Sequence, residues 1–254
     1  MRGAANLGRD LGLAVVGLGV VAAVWWAVTA VGLVSRAFLP SPEAAWAALQ
    51  RGMARDLPTQ TGATVWLMLQ GWLAASAVAV LLGSLIGIVR PVREALEPTL
   101  EFLRPLPASA IIPVAVAVFG LTPGMVLGVV VFGSLWPTLL ATVHGFKNVE
   151  PRLGEVSRAL GLSRLAFVWK IGLPNAVPDI IAGMRLALTV ALILAVVTEM
   201  LSGQQGLGTA ILLAGRAFRS ADIFAGLLLL AAIGLVSNVA LAAAERHLLR
   251  WRAA

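Results

Sequence analysis

Long uncharged stretches separated by short charged ones set the pattern of this chain. Leu11–Val34 runs for 24 residues without an ionisable side chain, and Gly62–Val89 for 28. Pro105–Phe146 then contains no Asp, Glu, Lys or Arg over 42 residues. A turn signal in its middle, Leu121-Thr-Pro-Gly124, divides it into Pro105–Gly120 and Met125–Phe146. Asn175–Leu201 carries only Asp179, Arg185 and Glu199 as ionisable residues, and Ile223–Ala244 carries none. A helix needs about 20 apolar residues to cross a hydrocarbon layer roughly 30 Å thick. The pattern therefore predicts an all-α polytopic membrane protein, a single transmembrane domain over residues 1–254. Its six spans fall at about 11–34, 62–89, 105–120, 125–146, 175–201 and 223–244. The third is short, 16 residues carrying Pro105, Pro107 and Pro113. Helices broken in this way either line water-filled routes, where the freed carbonyls find partners, or kink and pack as ordinary bundle members.

Two of the connecting segments carry helical signals of their own. Ser41 is an N-cap residue followed by Pro42 at the first helical position, which predicts a short helix over about 42–53 with Trp46 at headgroup level. In 92–103, Val92, Leu96, Leu100 and Leu103 recur at helical intervals while Glu94, Glu97 and Glu101 fall on other faces, as in an amphipathic helix.

Composition supports lipid as the main solvent: 59% of residues are hydrophobic, 12% are charged, and mean hydropathy is +0.93. The absence of cysteine excludes disulfides, thiol nucleophiles and thiolate metal sites, and the two histidines, His144 and His247, have no ligand spacing. Arg2 and Arg9 precede the first apolar run as in a signal peptide, but the run is longer than a secretory h-region and no A-x-A site follows, so it reads as a retained span. The net charge of +7 is scattered, which suits anionic lipid and an acidic partner rather than nucleic acid. Of the 19 Lys and Arg, 13 fall at the N-terminus and in 90–104, 147–170 and 246–252, while five (Arg36, Arg51, Arg55, Arg216, Arg219) fall in the alternate loops. The positive-inside rule therefore places both termini and the 147–174 loop in the cytoplasm.

That loop is polar and basic. Arg152–Leu160 is good helix-forming sequence, Gly161 suits a left-handed C′ position, and Ser163 can cap a second short helix running to Ile171. Pro174 lets a new direction begin, and Leu173 before it is expected to avoid the α region. The predicted shape is helix, glycine corner, helix, proline corner. Glu155 lies near the first helix's positive end. Leu160, Leu162, Leu165 and Phe167 are more apolar than a solvated loop requires and suit a groove in another protein; the bland alternative is a loop lying on lipid.

Glu155, Gly161, Ile171, Leu173 and Pro174 stand at the spacing E-A-A-x3-G-x9-I-x-L-P. The segment thus resembles the EAA loop of the membrane subunits of bacterial ABC importers, by which such a subunit meets its ATPase. The resemblance carries to Glu155, Val156, Ser157, Ala159, Gly161, Leu162, Ile171, Leu173 and Pro174. Val156 and Ser157 replace the usual pair of alanines, which leaves the loop's fold intact but bears on the details of docking. Phe38–Trp46, Glu97–Gly120, Gly183–Ala191, Thr198–Ile211 and Glu245–Trp251 resemble stretches of permeases for taurine, alkanesulfonates and nitrate. The resemblance implies a permease in the bacterial inner membrane that works as two copies with two ATPase subunits and an extracytoplasmic solute-binding protein. ATP and Mg would be held by the ATPase, and this chain would bind no cofactor or metal. The sequence itself contains no G-x4-G-K-[ST], no G-x-S-x-G and no H-E-x-x-H, so ATP binding of the P-loop kind and the commonest hydrolytic centres are excluded.

Ionisable residues inside spans are costly and mark functional sites or ion pairs. Asp179 lies near the cytoplasmic end of its span and reads as a cap or a water-facing group. Arg185 either attracts an anionic solute, or snorkels or pairs with another helix; Glu199 either lines an outer gate or pairs in the headgroup zone. With Pro107 and Pro113 these are the candidate pathway residues. The glycines of Gly203–Gly208 read as a tight re-entrant turn, not a nucleotide fingerprint. Trp25, Trp26, Trp66, Trp72 and Trp136 read as lipid-facing or packing residues. A stand-alone secondary transporter or channel is the main rival, and it would need inverted repeats and midplane ion ligands. A membrane enzyme would need a catalytic constellation within the spans, and none stands out.

Overall fold

The computed structural model describes residues 2–103 and 107–249, and among them no residue is in a strand. The elements are α1 (Arg2–Val31), α2 (Pro42–Met53), α3 (Leu57–Ile88), α4 (Arg90–Leu103), α5 (Ala108–Phe119), α6 (Pro123–Lys147), α7 (Pro151–Ala159), α8 (Arg164–Phe167), a π-helical turn (Val168–Gly172), α9 (Leu173–Ser202), α10 (Leu207–Arg216) and α11 (Ser220–Leu248). A helix therefore stands at each of the six expected spans. Among the described residues four runs are long and apolar enough to cross a membrane: α3, α6, α11, and the continuous run from the π turn through α9. The whole of α5 is shorter.

With 12 residues, α5 is about 18 Å long, well short of the hydrocarbon thickness. Its limits are set locally: Pro107 occupies the N-cap with extended backbone, and Gly120 ends the helix at φ +68°. Thr122 then starts α6, its hydroxyl accepting the Met125 amide at 3.2 Å with Pro123 in the first turn.

The chain forms two compact units. One holds residues up to Gln60 together with Ala210–Leu230; the other holds Thr61–Thr209 and the chain from Ala231 onward. In the first, Trp25 donates its indole N–H to the Pro40 carbonyl at 2.9 Å and stacks on Phe224 at 5.3 Å. Ser41 caps α2 as its sequence predicts, accepting the Ala44 amide at 3.3 Å, and Ala45 and Ala48 bury the inner face of that helix. Hydrogen bonds from its own backbone amide and from Ser41 lower the pKa of Glu43 in the first turn of α2.

The second unit is built on α6 and α9, its most extensive helix pairing. Small residues let the two backbones meet. A Cβ on Gly183 would stand 2.6 Å from that of Ala141 and 2.8 Å from the Pro137 carbonyl oxygen, and one on Gly145 would stand 2.9 Å from the Cα of Ala176. Such close approach is how helices associate where lipid removes the hydrophobic incentive. Buried hydroxyls on these helices return to their own backbone: Ser134 donates to Val130, Thr142 to Thr138 and Thr198 to Leu194, at 2.6–2.7 Å. Trp72 donates to the Met184 carbonyl at 2.9 Å, a packing role, whereas Trp26 and Trp66 are exposed.

Candidate functional site

The 147–174 segment folds around Gly161. The Leu162 amide donates to the Ser157 carbonyl at 3.0 Å and the Leu160 amide to that of Val156 at 2.9 Å, a Schellman closure of α7. It requires a left-handed residue, and Gly161 takes φ +64°. Ser163 then caps α8, its hydroxyl accepting the Ala166 amide at 3.2 Å. Helix, glycine corner and second helix thus stand as the sequence predicts.

The proline corner does not. Leu173 is α-helical, at φ −65° and ψ −49°, and Pro174 lies in the first turn of α9. The chain runs on from α8 through the π turn into α9 without a break, the Leu173 amide reaching back five residues to Val168. The reason is local. Proline has no N–H to give, and its ring clashes with the carbonyl four residues earlier; widening one turn to the π pattern relieves both.

The segment has two faces. Glu155, Val156, Ala159, Leu160 and Gly161 are exposed, Leu160 at 70%, while Ser157 is buried at 4%. Leu162, Phe167, Ile171, Leu173 and Pro174 are half-buried, and the Leu165 side chain lies outside the described ones. Gly172 is buried against Phe146, whose ring a Cβ there would meet at 2.9 Å, and Asn175 donates to the Gly145 carbonyl at 3.3 Å. Phe167 and Gly154 face Gly87 and Phe146 across a cleft of about 230 Å³. The second half of the segment is therefore fastened to the end of α6, and the corner at Gly161 stands free: nothing lies within 4 Å of where its Cβ would be.

The pathway candidates do not converge. Arg185 pairs with Glu245 of α11, both partly exposed. Glu199 is fully buried: it accepts the Thr64 hydroxyl at 3.0 Å and the Gly208 amide at 2.9 Å on one carboxyl oxygen. Thr64 in turn accepts the Leu207 amide at 2.8 Å, and Thr209 donates to the Glu199 carbonyl at 2.8 Å. The carboxyl group thus meets the N-terminal end of α10. Pro113 lies inside α5 and, like Pro107 at its N-cap, is exposed; Pro105 lies outside the described residues.

Two features escaped the sequence. The Gly203–Gly208 turn leads into α10, an apolar helix whose buried Leu207, Ile211 and Ala214 show helical spacing. A cavity of about 510 Å³ also brings together Arg93, His144, Lys147 and Asp179 over an apolar floor that includes Leu140 and Leu186. Arg93 there donates to the Ile86 and Gly87 carbonyls at the C-terminal end of α3, and Asp179 lines the same cavity, in keeping with a water-facing group.

Residues 79–253 match the family described as "Binding-protein-dependent transport system inner membrane component". The chain belongs to this family. It is the permease subunit of an ABC importer, a multi-pass membrane protein that works with an ATPase and a solute-binding protein. The match takes in the 147–174 segment and everything from the middle of α3 to α11. The permease is 28% identical to the taurine transport system permease protein TauC of Escherichia coli (strain K12) over 251 residues, 96% of this chain and 91% of TauC. It is 27% identical to SsuC of Bacillus subtilis (strain 168), provisionally named an aliphatic sulfonates transport permease protein, over 92% of this chain and 85% of SsuC. It is 29% identical to the nitrate import permease protein NrtB of Leptolyngbya laminosa over 74% of this chain and 67% of NrtB.

A solute ligand and a structural ion pair respond differently at Arg185. The pair is partly exposed, so a double-mutant cycle over Arg185→Gln and Glu245→Gln is expected to return a coupling of less than about 1 kcal/mol. Both variants should change the KM for uptake equally little. A KM raised by Arg185→Gln alone would restore Arg185 to the solute route.

Proposed function

We propose that the exposed corner of the 147–174 segment is the surface that receives the ATPase, and that the permease carries a small organic or inorganic anion of the sulfonate or nitrate kind. The observation that carries the first part is the division of the segment. One half is fixed to α6, and the other presents Glu155, Val156, Ala159 and Leu160 beside a glycine corner with open space around it. A push on that corner reaches α9 directly, because the π turn joins the two into one rod. The permease then works as a pair of identical subunits with two ATPases in the bacterial plasma membrane, both termini cytoplasmic. Closure of the ATPases on ATP and Mg, which they hold, rocks the helices between inward- and outward-facing states. The second part rests on TauC, SsuC and NrtB, which share most of their length with this chain.

Co-expression with a cognate ATPase and binding protein tests both parts. The ATPase is expected to copurify, and uptake of labelled taurine, an alkanesulfonate or nitrate to require ATP hydrolysis. Uptake that continues when the P-loop lysine of the ATPase is replaced would favour a stand-alone transporter.

A further inference from the structure

The cavity of about 510 Å³ that holds Arg93 and Asp179 is graded along its depth. On α6 its lining runs Lys147, His144, Leu140 and Pro137, steps of three or four residues that keep to one helix face. On α9 it runs Asp179, Ala182 and Leu186, the same spacing in the opposite chain direction. Lys147 ends α6 and Asp179 lies in the second turn of α9, so both helices bring their polar groups to the end nearest the 147–174 segment. Leu140 and Leu186 stand about 10 Å further along. Arg93 belongs to the polar end. It is held on the Gly87 carbonyl, and Gly87 packs on Phe146, the residue before Lys147: a Cβ there would stand 2.6 Å from that of Phe146.

This gradient says what kind of molecule fits. The volume suits a site that buries much of a ligand. Arg93 and Lys147 offer charge-assisted hydrogen bonds to a phosphate. Asp179 opposes a bare anion but accepts from hydroxyl groups. A small hydrophilic anion has no use for the apolar end, whereas an acyl chain does. Leu186 is 63% exposed, so that end is open at the side, as a chain entering from the bilayer requires. The orientation read from the basic loops puts the polar end in the cytoplasmic leaflet, and basic pockets between helices on that side bind anionic headgroups.

We propose that this cavity holds one phosphatidylglycerol molecule of the cytoplasmic leaflet, its phosphate on Arg93 and Lys147, its headgroup hydroxyls on Asp179, and an acyl chain along Leu140 and Leu186. The lipid then ties α4 to α6 and α9 beside the segment that moves them. The inference depends neither on the solute carried nor on the contact with the ATPase.

The test titrates the purified permease–ATPase complex in detergent with phosphatidylglycerol or phosphatidylcholine and counts retained lipid by native mass spectrometry. One phosphatidylglycerol per permease is expected to be retained in preference to phosphatidylcholine. Each basic residue near an anionic headgroup contributes about fivefold in affinity, so Arg93→Gln with Lys147→Gln is expected to raise the half-saturating concentration at least about tenfold. Should the loss of Arg93 release the end of α3 and unfold the chain, two milder variants decide. Lys147→Gln and Ala182→Phe both change exposed residues, and the second places a ring across the cavity without touching a charge. Each should raise half-saturation about fivefold while the binding of phosphatidylcholine stays as it is. Equal retention of the two lipids overturns the proposal, and so do variant titrations that superimpose on the wild type. Displacement of the lipid by inorganic phosphate or taurine also overturns it, because the charged end would then belong to a small anion.

Discussion

Gly161→Arg abolishes uptake while the permease still inserts and folds. The expectation follows from what surrounds the residue. Its φ of +64° makes any side chain costly, about 1–2 kcal/mol for the left-handed backbone, but nothing within 4 Å of the Cβ position opposes one sterically. The arginine therefore projects from the free corner into the space a partner must fill. Loss of a central contact of about 2 kcal/mol weakens association some 30-fold, enough to uncouple the ATPase. Gly161→Ala separates the two effects, because it carries the backbone cost without the bulk and should keep most of the uptake. The measurements are membrane insertion, retention of the ATPase on purification, and initial uptake rate. Normal uptake by Gly161→Arg would contradict the coupling role of this corner.

The parts of the structure that were legible beforehand are those fixed by neighbours in sequence. Ser41, Thr122 and Ser163 each accept an amide three residues on, and Gly161 turns α7 through bonds that span five residues or fewer. The uncharged runs located the long helices because burial in lipid demands uniform apolarity whatever packs where. Short-range patterns failed where two rules competed. At Leu173 the avoidance of α geometry before proline lost to helix continuity, and a π turn absorbed the conflict. At Leu207–Arg216 the glycines before the helix masked its own spacing. The pairings Arg185 with Glu245 and Glu199 with Thr64 join residues 60 and 135 apart, and no local signal names such partners. The burial of Ser157 has the same origin, since a face becomes inner only when something packs on it.

Replacing Gly208 or Glu199 is expected to cost the permease more stability than any exposed change. A Cβ at Gly208 would overlap the Val196 carbonyl oxygen and stand 3.0 Å from the Glu199 carboxylate, and one at Gly206 would overlap the carboxyl group itself. Backbone atoms of α9 cannot step aside as a side-chain tip could. Gly208→Val therefore lifts the start of α10 off Glu199 and breaks the Gly208 and Leu207 amide bonds. Glu199→Ala reaches the same end from the other side, leaving the Gly208 amide buried without an acceptor and a void where the carboxyl stood. A buried unsatisfied group costs about 1–3 kcal/mol and the void adds to it, so the loss is about 3 kcal/mol, or roughly 10 °C in melting temperature for a chain of this length. Glu199→Gln keeps an acceptor oxygen in nearly the same volume and should lose less than half as much. Thermal unfolding in detergent ranks the three variants, and uptake by the surviving Glu199→Gln protein decides what the group is for. Unchanged KM fits a carboxyl that fastens α10 to α9 and α3. A raised KM at an unchanged melting temperature would mean that the solute reaches it in another state of the transport cycle.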